Sequence, residues 1–132
     1  MANNSLNSLQ TDLARARGLG ASGTGTEHWW HQRMTSVALV PLSLWFVLSL
    51  FKVIGGGHAA VKLWLSGPVS ATLAILFILI TFHHTAAGLE VIIEDYVHTK
   101  WVKLAVLFAE KALAAVLAVI CVVSVLKIAL GG

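Results

Sequence analysis

Three stretches of this chain are too apolar to fold anywhere but in lipid. Met34–Phe51 runs for eighteen residues without a charged side chain, between Arg33 and Lys52. Leu63–Leu89 and Ala112–Leu126 are equally free of Asp, Glu, Lys and Arg. At about 1.5 Å per residue, an eighteen-residue helix is about 27 Å long, close to the thickness of a bilayer's hydrocarbon core. Hydrocarbon offers no hydrogen bonds, so each stretch must satisfy its own backbone, which a helix does. Composition agrees: the 132 residues are 58% hydrophobic and 11% charged, against about 45–50% and about 25% in an ordinary soluble domain. The sequence therefore predicts an all-α membrane protein with three transmembrane helices at about residues 33–54, 68–95 and 102–130, in one membrane domain over residues 31–132.

Residues 1–30 are rich in Asn, Ser, Thr and Gly and contain no apolar core of the kind a secretory signal needs, so they read as a flexible polar tail. Gly18, Gly20 and Gly23 match the dinucleotide-binding fingerprint in letters only, because no apolar strand precedes them and no amphipathic helix follows. A single cysteine, Cys121, excludes an internal disulfide and any cysteine-held zinc or iron–sulfur site. A redox metal here would have to be held by histidine. The net charge of +3 comes from nine scattered Lys and Arg, not from the clustered patch a phosphate backbone requires, so no nucleic-acid partner is expected.

Within the spans, Pro41 predicts a kink. Gly55–Gly57 predicts a loop carrying His58 and Lys62, and Pro68 suits the first turn of the second helix. Glu110 and Lys111 are neighbours, hence about 100° apart around a helix. The expectation is that Glu110 faces the bundle while Lys111 snorkels to the interface. Three spans place the termini on opposite sides. With the N-terminus cytoplasmic, Arg15, Arg17, Arg33, Lys100 and Lys103 lie inside and Lys52, Lys62 and Lys127 outside, the bias that the positive-inside rule favours.

The second span holds the chemistry. Eleven residues return a helix to within about 20° of its starting direction, so His84 and Asp95 share a face with Gly88 and Val91 between them, over roughly 16 Å. Imidazole is a common haem-iron ligand, and a glycine one turn away removes a side chain that would meet a porphyrin edge. The same pattern suits a helix–helix contact, with His84 hydrogen-bonded across it and Gly88 permitting close approach. His83 points about 100° away from His84, so one iron cannot take both on opposite sides. His28, His31, His58 and His98 lie near ends or in loops, leaving a second axial ligand to a partner. His28 and His31 have the spacing of a metal pair but no completing ligand, and with Trp29 and Trp30 they read as an interfacial cluster. Tyr96 could donate to a quinone carbonyl with Asp95 orienting it or passing protons, or the two could be an aromatic-belt residue beside a solvated acidic turn. Arg33 could meet a haem propionate or a lipid phosphate.

The order of elements, the Arg33-x-Thr35 entry to the first span, and above all His84 followed eleven residues later by Asp95-Tyr96-Val97 resemble the hydrophobic membrane-anchor subunits of succinate dehydrogenase, respiratory complex II. The likeness covers roughly residues 30–130, and the run Thr35–Trp45 looks like the alphaproteobacterial branch. The resemblance implies that His84 is an axial ligand of haem b shared with a partner subunit, that Arg33 lies near the haem propionates, and that Tyr96 and Asp95 border the ubiquinone site. It implies a flavoprotein, an iron–sulfur protein and a cytochrome b subunit as partners, with succinate oxidised on other chains and no independent catalytic activity in this one. It also implies the bacterial inner membrane, N-terminus cytoplasmic and C-terminus periplasmic. The alternatives are the anchor of a quinol:fumarate reductase, which shares the architecture, and a non-redox membrane scaffold or transporter.

Overall fold

Among the described residues, Leu13 and residues 25–131, the computed structural model contains four helices and no strand. They are α1 (Gly25–Val53), α2 (Gly57–Ser66), α3 (Pro68–Tyr96) and α4 (Lys100–Ala129). Three of these, over Trp29–Val53, Pro68–Tyr96 and Lys100–Ala129, are long and apolar enough to cross a membrane. The chain is thus a multi-pass membrane protein. Helix α1 begins at Gly25, inside the stretch assigned to the tail, with Glu27 in its first turn where the helix dipole favours an acid. Gly18, Gly20 and Gly23 lie outside the described residues.

The chain divides into two compact units, Met1–His31 and Gln32–Gly132. In the first, Trp29 and Trp30 stack with ring centroids 5.6 Å apart. The second contains the helical bundle. Its most extensive backbone contact joins α3 and α4, which run antiparallel. Glu94 near the end of α3 meets Lys103 near the start of α4, while Ala74 near the start of α3 packs with Val125 near the end of α4.

The apolar cluster lies at the end opposite Glu94. Leu65, Ala71, Ala74 and Val125 are buried there, with Trp45, Val61, Trp64, Ile75, Ile78, Ile128 and Ala129 packed against them. Aromatic contacts join three helices: Trp45 of α1 lies 5.8 Å from Trp64 of α2, and Phe46 of α1 stacks on Phe77 of α3 at 4.7 Å. Small residues, Ala71, Ala74 and Ala118, occupy the tightest positions, as in other membrane bundles, where close backbone approach supplies the packing energy. No large side chain among the described residues is fully buried, and Val37, Val40, Leu44, Phe51, Phe108 and Val119 all face outward. That distribution suits a lipid-solvated bundle and not a water-soluble one, which would hide these residues.

Two sequence expectations are corrected. The loop after Gly55–Gly57 is a ten-residue helix, α2, carrying His58 and Lys62 on its exposed side. Val61, Trp64 and Leu65, at i, i+3 and i+4, form its inward face and hold it against the bundle. Gly55 and Gly57 supply the left-handed backbone, φ +99° and +61°, that turns the chain between α1 and α2. Lys111 does not simply reach for the interface, because its Nζ lies 2.9 Å from Oε1 of Glu90 on α3. The expectation for Glu110 agrees with the structure: both of its carboxylate oxygens are shielded inside.

Candidate functional site

His83 and His84 fall about halfway along the 29-residue α3. Their fates differ as the 100° step requires. His83 is exposed and His84 half-buried. What holds His84 is on α1. The Thr35 hydroxyl lies 3.0 Å from His84 Nδ1, and the same hydroxyl donates to the Gln32 carbonyl at 2.9 Å. The Ser36 hydroxyl donates to that carbonyl too, at 2.8 Å. Serine and threonine in an apolar helix commonly bond back to a carbonyl one turn earlier. Here the habit presents a polar group to α3. No partner meets His84 Nε2 among the described residues.

Gly88 lies one turn beyond His84 on the same face. A methyl group added there would meet only the Gln32 amide nitrogen, at 3.7 Å, an ordinary contact. Packing within this chain therefore does not require glycine at 88. At the far end of the stripe, Val91 and Asp95 are exposed, so the stripe turns from partly covered to open along its length.

Beyond it lies the polar terminus of α3. Tyr96 is 80% exposed and Asp95 exposed, and neither side chain has a partner among the described residues. Glu94 is engaged, with Lys103 Nζ 3.9 Å from its carboxylate and 3.4 Å from its backbone carbonyl. His98 Nδ1 donates to the Tyr96 carbonyl at 3.1 Å and so braces the three-residue turn between α3 and α4. Arg33, at the α1 end, is exposed. The His28 side chain lies outside the described residues, and nowhere among those described do three His, Cys, Asp or Glu converge as a metal shell.

The structure thus brings His84 together with Thr35, Gln32 and Gly88, and leaves Asp95 and Tyr96 together at the open end of α3. Sequence reasoning did not find Thr35 and Gln32 as neighbours of His84. They lie about 50 residues away on another helix, and no local spacing encodes a contact between helices. Nor did it find Glu90 as the partner of Lys111, which depends on the antiparallel register of α3 and α4.

Compared with known proteins, residues 7–126 match the family described as succinate dehydrogenase/fumarate reductase transmembrane subunit. Among curated relatives, the succinate dehydrogenase hydrophobic membrane anchor subunit of Paracoccus denitrificans is 28% identical over 99 residues, 75% of this chain and 77% of that protein. The subunit of the same name from Rickettsia conorii is 26% identical over 90 residues, 67% and 71% of the two chains. The succinate dehydrogenase membrane anchor subunit of Reclinomonas americana is 31% identical over 94 residues, 69% and 78%. No solved structure gives a significant match.

Proposed function

The chain belongs to the family of succinate dehydrogenase/fumarate reductase transmembrane subunits, and on that premise we propose that it is the membrane-anchor subunit of a succinate:ubiquinone oxidoreductase. Its work is to hold a flavoprotein and an iron–sulfur protein at the membrane and, with a cytochrome b subunit, to form a haem b site and a ubiquinone site. The names of the Paracoccus, Rickettsia and Reclinomonas relatives support succinate dehydrogenase over the fumarate reductase alternative. With one cysteine in the sequence and only membrane-type and short helices among the described residues, this chain leaves succinate oxidation to its partners.

The observation that carries the haem assignment is His84: a half-buried imidazole within the α3 span, engaged at Nδ1 and without a partner at Nε2 among the described residues. A polar nitrogen left without a partner in lipid is costly, and coordination satisfies it. Haem is compatible with the surroundings as well, since only the flexible Gln32 side chain comes within 4 Å of a methyl group placed at Gly88. Bound there, haem supplies a one-electron site. His84 would ligate the iron, the cytochrome b subunit would supply a further ligand, and Arg33 would offer its guanidinium to a propionate.

Tyr96 and Asp95 we assign to the ubiquinone site. The phenol O–H donates to a quinone carbonyl, and the exposed Asp95 carboxylate takes protons from water and passes them to the reduced oxygen. Both sit where α3 meets the aqueous side, which suits electron entry from an iron–sulfur subunit. The location is the bacterial inner membrane, with the N-terminus cytoplasmic and the C-terminus periplasmic. The test is purification of a tagged chain from native membranes. Flavin, iron–sulfur clusters and a haem Soret band should co-purify in fixed ratio, and a chain that emerges with none of them is not an anchor of this kind.

A further inference from the structure

We propose that Thr35 is a positioning residue for His84, which accepts a hydrogen bond from Nδ1–H and thereby fixes Nε2 as the iron-binding nitrogen and enriches it in electron density. The proposal rests on the haem reading above. It starts from one proton. A threonine hydroxyl has a single hydrogen to give, and the Thr35 hydroxyl lies 2.9 Å from the Gln32 carbonyl, which can only accept. With that hydrogen committed, the 3.0 Å contact to His84 has one consistent sense: Nδ1–H donates and the Thr35 oxygen accepts. A neutral imidazole protonated at Nδ1 carries its lone pair on Nε2. The opposite arrangement, Thr35 donating to Nδ1, would place the ring proton on Nε2 and make it a donor unable to bind a metal.

The relay therefore runs from His84 Nδ1–H to the Thr35 hydroxyl to the Gln32 carbonyl. Each bond polarises the next, more strongly in the low dielectric of a membrane interior than in water. Pulling the Nδ1 proton toward an acceptor makes the ring a better electron donor through Nε2, which favours ferric over ferrous iron. The bond also fixes the ring plane, because α1 and α3 are already tied by the Phe46 and Phe77 stack. His83 has no such partner among the described residues and is exposed. The relay thus separates two adjacent histidines that are chemically identical in sequence.

The experiment uses the assembled complex carrying Thr35→Val, which keeps the β-branched shape and removes the hydroxyl, and Thr35→Ser, which keeps the hydroxyl. Haem content per flavin, the low-spin ferric signal and the haem midpoint potential are measured beside subunit stoichiometry. Thr35→Val should retain its subunits, hold haem about ten-fold to a hundred-fold more weakly, and show a potential shifted upward. Thr35→Ser should restore both properties. Should valine fail to pack, Thr35→Ala carries the same expectation. A hydroxyl-free variant with wild-type haem content, signal and potential overturns the proposal while the haem reading stands. A wild-type complex without haem, or a His84→Leu complex with an unaltered haem signal, overturns the haem reading and the proposal with it.

Discussion

At the scale of single residues, the doublet His83-His84 shows how a helix assigns different work to identical side chains. One step of about 100° carries His83 to the exposed side of α3 and His84 to the side that Thr35 meets. In the assembled complex, His84→Leu should remove or alter the low-spin haem spectrum, while His83→Leu leaves it largely intact; the optical spectra of the two variants decide it. Tyr96→Phe deletes one hydroxyl and keeps the ring. The lost hydrogen bond is worth about 0.5–1.5 kcal/mol, and more if charge develops on the quinone oxygen, so quinone reduction should fall roughly three-fold to a hundred-fold. Asp95→Asn should slow it too. Electron transfer from succinate to an artificial acceptor upstream of the membrane should stay near normal in both. A parallel fall in the two rates would mean that Tyr96 and Asp95 serve assembly, and no fall in either would mean that they are belt and turn residues.

At the scale of helices, α3 and α4 are joined by two ion pairs, Glu94 with Lys103 and Glu90 with Lys111. Between them the interface also contains Glu110, whose two carboxylate oxygens are shielded and have no hydrogen-bond partner among the described residues. An unsatisfied buried polar group costs about 1–3 kcal/mol, more if charged. Glu110→Met should therefore raise the thermal midpoint of the solubilised complex. A lowered midpoint would reveal that a group on another chain meets this carboxylate. The three spans were legible in sequence because eighteen or more apolar residues admit few other readings. Helix α2 was not, since Gly55–Gly57 signals a break and says nothing of what resumes after it; only the spacing of Val61, Trp64 and Leu65 hinted at a helix. The stripe from His84 to Asp95 was legible as a face, whereas the contact from Thr35 that orients His84 depends on how α1 packs.

At the scale of the whole molecule, orientation hangs on the tail. Apart from Lys111, which lies within the α4 span, the described residues put Arg33, Lys100 and Lys103 at one face and Lys52, Lys62 and Lys127 at the other, an even match. Arg15 and Arg17 break the tie. A reporter fused after Gly132 should appear in the periplasm, and a cysteine at Thr26 should be labelled only from the cytoplasm. Replacing both tail arginines with glutamine should yield a mixed population by the same labelling; a single cytoplasmic population would show that orientation is set elsewhere. Finally, the outward-facing His83 bears on how long this chain survives by itself. An imidazole held against acyl chains within a membrane span is a polar defect in hydrocarbon. Unassembled copies leave that defect facing lipid, and their half-life should be shorter than that of copies in the complex. The cellular amount of this protein should then follow how much partner is made more closely than the rate of its own synthesis.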